Sequence, residues 1–122
     1  DEGDLYKIDD WFEFDDSVTR EFNVDATLQN FTTGGGEKKQ ARYRWNWEKR
    51  SNRGFNDDFT SLFQLVDAVN TADNDAYTQA VNSLVDVEQW LRVFFVRHMV
   101  GDWDGYGYNR GKNMSTYQVP DG

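Results

Sequence analysis

Apolar and polar residues alternate in short stretches over the first third of the chain, then recur at helical intervals after residue 57. Leu5-Tyr6-Lys7-Ile8 and Trp11-Phe12-Glu13-Phe14 read as extended chain, with aromatics suited to a pleated surface. Gly34-Gly35-Gly36 marks a loop, because three consecutive glycines lose too much backbone freedom inside a regular element. Over residues 41–49, Tyr43, Trp45 and Trp47 alternate with Arg42, Arg44, Asn46 and Glu48. That period of two predicts a strand carrying the three rings on one face.

Beyond residue 57 the period lengthens. Phe59, Leu62, Phe63, Val66 and Val69 form a helical stripe, with Asp57 or Asp58 placed to cap it. Thr71-Ala72-Asp73-Asn74-Asp75 interrupts the pattern, and Tyr77, Ala80, Val81, Leu84 and Val85 make a second stripe. Asp86, with Gln89 three positions on, has the form of a capping box for a third helix. From Val87 to Val100 that helix is apolar around most of its middle, which predicts burial on several sides. Gly101 stops it at a position that favours left-handed backbone. Ser115-Thr116-Tyr117-Gln118-Val119 has strand character. The fold class expected is α+β: two or three strands or extended segments, three packed helices, and a loop of catalytic type.

A length of 122 residues suits one domain rather than two. Five Trp, six Tyr and nine Phe mean that rings, each burying roughly 150–250 Å², supply much of any core. The absence of Cys excludes disulfides, thiol catalysis and cysteine-ligated zinc, and a single His excludes two-His zinc motifs. His98 sits in the last turn of a helix, where a cation complements the dipole. The longest apolar run is Val93–Val96, so nothing approaches a membrane span. The compartment stays open.

Charge sharpens the picture. Residues 1–25 hold ten acids against two bases, and residues 37–53 hold seven bases against two acids. The simplest reading is mutual attraction across the fold; the sharper one is that one stretch meets a ligand. Arg42, Arg44, Lys49 and Arg50 beside Trp45 and Trp47 resemble a basic-aromatic nucleic-acid surface. The net charge of −9 argues against nucleic acid as a partner. Gly34–Gly36 lacks the lysine-Ser/Thr of a phosphate-binding loop and reads as a hairpin turn.

Chemistry concentrates between Asp102 and Asn113. Asp102, Asp104, Asn109 and Asn113 offer oxygen ligands of the kind that hold Mg²⁺ or Ca²⁺. Asp102, Asp104 and Gly107 match EF-hand positions one, three and six, but Tyr106 and Asn113 fail positions five and twelve. A plain turn, its Asp and Asn side chains bonding their own backbone, accounts for the same residues. Phosphoryl-transfer loops also pair an Asp, which orients the acceptor hydroxyl, with a later Asn that holds a metal on the nucleotide phosphates. Asp104 and Asn109 lie five residues apart, the interval of ordinary kinase loops, and Asp104 and Asn113 lie nine apart.

Residues 86–96 (Asp-Val-Glu-Gln-Trp-Leu-Arg-Val-Phe-Phe-Val) and residues 101–114 (Gly-Asp-Trp-Asp-Gly-Tyr-Gly-Tyr-Asn-Arg-Gly-Lys-Asn-Met) together resemble the spore-coat protein H (CotH) kinase family. Leu5-Tyr6-Lys7 and residues 43–49 are similar to that family's middle region. The resemblance implies a partial atypical protein-kinase-like fold that uses ATP and Mg²⁺ or another divalent cation. Its partner would be a protein substrate with Ser/Thr acceptors, as in spore-coat assembly. Asp104 falls on the family's catalytic-loop aspartate and Asn113 on the Asn that opens the following aromatic strand, a metal ligand. Asp102 stands where relatives carry Asn and takes no catalytic role. The alternative is a non-enzymatic extracellular binding module, its loop stabilised by Ca²⁺ and its Trp103, Tyr106 and Tyr108 stacking on sugars.

The resemblance further implies that residues 1–122 are one partial domain, the helical-lobe portion. A nucleotide lobe with the phosphate-contacting lysine is expected before residue 1, and a metal-binding Trp-Asp-x-Asp block after residue 122. Lys7 lies beyond the family's hinge and is not that lysine. A kinase needs both the lysine and the metal aspartate in place. Residues 1–122 alone are therefore expected to show no turnover; robust ATP hydrolysis or substrate phosphorylation by this chain, followed with radiolabelled ATP, contradicts it.

Overall fold

The computed structural model describes residues 3–9, 13–14, 20–21, 26–50, 57–107 and 111–119. The expected strand at Trp11 and Phe12, most of the acidic stretch, and Asn109 with its neighbours Tyr108 and Arg110 lie outside them. The class is α+β: among the described residues, a three-stranded antiparallel sheet with four helices.

The sheet is built around β1 (Asp4–Ile8), which pairs antiparallel with β4 (Trp47–Lys49) on one side and β5 (Met114–Gln118) on the other. A short pair, β2 (Glu13–Phe14) and β3 (Arg20–Glu21), forms a second, two-stranded sheet. In β1 the period of two holds: Tyr6 and Ile8 are buried, whereas Leu5 is exposed. Ile8 pairs with Trp47 in one neighbour and Met114 in the other, and all three are buried. Charge reinforces the register. Lys49 Nζ meets Asp4 at 2.7 Å, which joins the basic stretch to the acidic one. The Tyr6 hydroxyl lies 3.3 Å from Ser61 Oγ, and burial pushes its pKa up to about 12.

Residues 41–49 depart from expectation. They are not one strand: α1 (Gln40–Asn46) comes first, and only Trp47–Lys49 is extended. Tyr43, Asn46 and Trp47 are buried while Trp45 is 52% exposed, so the three rings do not share a face. Buried positions at 43, 46 and 47 follow helical spacing, which the sequence satisfies as well as it satisfies alternation. Tertiary bonds select the helix. The Tyr43 hydroxyl donates to Gln29 O at 2.6 Å and accepts from Phe31 N–H at 2.9 Å. Asn46 Nδ2 donates to Asp9 O at 3.0 Å, and Asp9 N–H donates to Asn46 O at 3.0 Å. The basic-aromatic surface is thereby dispersed. Trp47 is buried, Arg44 pairs with Asp57 at 2.8 Å, Arg50 with Glu48 at 2.7 Å, and Arg42 lies over the Phe31 ring.

Gly34–Gly36 forms the expected turn, closed by Thr33 N–H to Glu37 O at 2.8 Å and by pairing of Thr32 with Lys38. The three expected helices are α2 (Thr60–Val69), α3 (Asn74–Leu84) and α4 (Val87–Met99). Asp58 accepts from Thr60 N–H at 3.0 Å, which lowers its carboxyl pKa. Asp73 caps α3 through Ala76 N–H, and Asp86 caps α4 through Gln89 N–H, each at 2.9 Å. α2 puts Leu62 and Val66 into the core against Tyr6, Ile8, Tyr43, Trp47, Phe59 and Met114.

α4 is not buried on several sides. Trp90 and Phe94 pack on the core, while Leu91, Phe95, Val96 and Met99 are exposed. One stripe of the helix meets the body of the fold; the apolar residues around the rest of its circumference meet none of the described elements closely enough to be buried. No helix among the described residues is long and apolar enough to cross a membrane.

Tyr43→Phe keeps the buried ring and removes the hydroxyl's bonds to Phe31 N–H and Gln29 O, which keep their bond to each other at 3.1 Å. It is expected to cost about 1–1.5 kcal/mol in urea unfolding. A loss below about 0.5 kcal/mol means that these bonds do not hold α1 in place.

Candidate catalytic loop

α4 delivers the chain into residues 101–113 and β5 takes it away. Arg97 and His98 occupy the last turn of α4, where cations complement the dipole, and His98 Nδ1 lies 2.8 Å from Phe94 O. The helix ends at Gly101, with φ of 69° as expected. Asp102 N–H donates to Arg97 O at 2.9 Å, and Tyr106 N–H reaches across the loop to Lys112 O at 2.7 Å.

Rings fasten this loop to the core. Tyr106 stands edge-on to Trp47 at 6.0 Å and to Trp90 at 6.5 Å, and lies stacked on Phe94 at 6.3 Å between centroids. Burial pushes the Tyr106 phenol up to about 12, so it stays protonated at neutral pH and serves packing rather than proton transfer. Trp103 is 62% exposed. Of the three rings considered for sugar stacking, one is thus turned outward, one is packed inward, and Tyr108 lies outside the described residues.

Two glycines permit the close approach. A Cβ at Gly107, whose φ is 87°, would lie 2.7 Å from the Phe94 ring. A Cβ at Gly105 would lie 2.5 Å from Arg97 Nη1 and 2.8 Å from Asp102 Oδ2.

The structure brings Asp104 and Asn113 together. Asn113 Nδ2 donates to Asp104 O at 2.9 Å and to Asp104 Oδ2 at 3.2 Å. Asn113 holds a left-handed φ of 56°, a conformation that Asn adopts more readily than most residues. Because its amide nitrogen faces Asp104, its Oδ1 is the end left to accept or to ligate. On the other carboxylate oxygen, Lys112 Nζ lies 3.4 Å from Asp104 Oδ1. Arg97 holds the frame around this pair: Nε is 3.4 Å from Asp102 Oδ2, and Nη2 donates to Asn113 O. Asp102 is thereby tied to the frame.

Among the described residues no three Asp, Glu or His side chains converge as a ready-made metal cage. Mg²⁺ rarely uses one; it takes one or two protein oxygens and completes its shell with substrate phosphates and water. Asn113 Oδ1, the amide end not bonded to Asp104, fits the role of one such oxygen. Spacing alone did not reveal Lys112 or Arg97. Arg97 meets its partner sixteen residues away, and no local pattern announces that contact.

A family model described as CotH kinase protein matches residues 1–122, the whole chain. The chain belongs to the CotH kinase family. No curated protein and no solved structure matches it. Within this CotH-family chain, the Trp-Asp-Gly-Tyr and Gly-Lys-Asn segments that suggested the family are the two arms of the loop closed by the Asp104–Asn113 contacts.

Gly107→Ala tests the loop's approach to α4. Left-handed backbone and the Phe94 ring together predict a loss of about 1–2 kcal/mol in chemical denaturation. Unchanged stability means that the loop does not rest on Phe94.

Proposed function

We propose that this chain carries the catalytic loop of an atypical, ATP-dependent protein kinase that phosphorylates Ser or Thr on a protein substrate. One observation carries the reading beyond family membership: the Asn113 amide is bonded to both the backbone and the carboxylate of Asp104. A turn needs only a backbone bond. The second bond sets the Asn113 amide against the Asp104 carboxylate, the two residue types that phosphoryl-transfer loops use.

In this reading the acceptor hydroxyl bonds to the Asp104 carboxylate, which orients it toward the γ-phosphorus of ATP. A bond forms from the hydroxyl oxygen to that phosphorus, and the bond to the β,γ-bridging oxygen breaks. ADP leaves, and the hydroxyl proton passes to Asp104. Asn113 Oδ1 would hold the divalent cation, which would supply neutralisation of charge on the phosphate oxygens. Arg97 keeps Asn113 in place through its carbonyl. Tyr106 and Gly107 keep the loop pressed to the core, so the geometry does not have to be assembled at the moment of transfer.

Asp104→Ala in the full-length protein is expected to lower phosphoryl transfer at least about a hundredfold. Asp104 sits on a half-exposed loop, so its melting temperature should stay within a few degrees of wild type. Activity of the variant near the wild-type level removes Asp104 from the mechanism.

A further inference from the structure

We infer that Asp102, which has no part in the chemistry above, is a positioning residue for the cation site: it acts through Arg97 on the backbone of Asn113. The inference rests on the kinase reading and adds to it the ion pair that aims the amide oxygen. Asn113 needs holding, because its backbone is left-handed, with φ of 56°. Such backbone is unfavourable for an L residue and persists where neighbours fix it. Two neighbours do so. Arg97 Nη2 donates to the Asn113 carbonyl, and Asp104 accepts twice from Asn113 Nδ2. The Asp104 bonds hold the end of the side chain; the Arg97 bond holds the backbone that carries it. Together they set the direction of Oδ1.

Arg97 is held in turn by Asp102, whose Oδ2 lies 3.4 Å from Nε. A guanidinium is planar, so contacts at Nε and Nη2 together fix its plane. The remaining nitrogen, Nη1, is buried and meets no acceptor among the described residues. A buried donor without an acceptor is unfavourable, so what keeps the guanidinium in place is the pair of contacts at the other two nitrogens. The Arg97 and Asp102 side chains are 22% and 35% exposed, so solvent screens their attraction less than on open surface. Asp102 is a fixed anchor for this contact: its N–H donates to Arg97 O at 2.9 Å, and its carbonyl accepts from Gly105 N–H at 3.4 Å. Gly105 leaves the room, since a Cβ there would collide with both Arg97 Nη1 and Asp102 Oδ2. Among the described residues Asp102 has no bond to Asp104 or Asn113, so its influence on the amide oxygen runs through the guanidinium.

The test is titration of Mn²⁺ into the full-length protein with ADP present, read by the paramagnetic resonance of the free ion. Asp102→Ala and Arg97→Met are each expected to weaken Mn²⁺ binding about tenfold, and the double variant no more than either alone. Arg97→Met is the decisive variant. Loss of the Asp102 charge would weaken a nearby cation by itself, whereas loss of the Arg97 charge would tighten it, unless Arg97 acts by positioning Asn113. Asp102→Asn keeps an oxygen for Nε, should weaken binding about threefold, and serves if Asp102→Ala does not fold. A second readout needs no metal. The Asn113 side-chain amide protons, bonded to Asp104 in the wild type, should exchange with water about tenfold faster in Asp102→Ala and Arg97→Met, followed by nuclear magnetic resonance. Tighter or unchanged Mn²⁺ binding by Arg97→Met, or unchanged amide exchange in these variants, overturns the inference and leaves the kinase reading standing. If the wild type binds no Mn²⁺ with ADP present, the kinase reading itself fails and takes the inference with it.

Discussion

Burial of Ile8 between Trp47 and Met114 is the constraint on which the rest depends. These residues come from the start, middle and end of the chain, and pairing of β1 with both neighbours puts them in one row. The row is apolar and covered by α2, so a slip of one residue would turn Met114 toward solvent and a polar neighbour into the core. Asn113 immediately precedes Met114. Its position is therefore set by sheet register, a long-range hydrophobic requirement, rather than by the loop that contains it.

The other arm of the loop is positioned from a different direction. Asp104 hangs from the end of α4, and α4 is registered on the core by Trp90 and Phe94, whose rings stand edge-on at 5.8 Å. Tyr106 closes the gap by packing on both and on Trp47. Thus Trp47 flanks Ile8 in the sheet and touches the loop as well. An aromatic core does more here than bury area: large flat rings bridge elements that aliphatic side chains would leave apart.

Around that scaffold the charges divide their work. Arg97 ties α4, Asp102 and the Asn113 carbonyl into one frame, as a guanidinium with several fixed donors can. Lys112 faces Asp104, and Asn113 faces the same carboxylate from its other oxygen. The apolar residues of α4 that point away from the core, Leu91, Phe95, Val96 and Met99, take no part in this arrangement.

Much of this was legible along the chain. Capping of α3 and α4 by Asp73 and Asp86, the end of α4 at Gly101 and the turn at Gly34–Gly36 follow from local chemistry, which neighbours in sequence satisfy, and the strands at residues 5–8 and 115–118 follow from residue type, although their bonds join opposite ends of the chain. The Asp104–Asn113 pair was indicated by family motif, and the Asp102–Asn113 segment by its density of oxygen ligands. What the sequence could not decide were matters settled by partners far along the chain. Tyr43, Trp45 and Trp47 fit a strand as well as a helix followed by a strand, until Tyr43 finds Gln29 and Phe31 and Asn46 finds Asp9. The apolar circumference of α4 showed what could be buried, and only the packing showed that one stripe is. Residue order determined the helix caps, the helix end at Gly101 and the glycine turn, because those bonds are local. Tertiary structure alone decided which face is covered and that Lys112 and Arg97 converge on the Asp104 loop, because burial and charge pairing depend on distance in space.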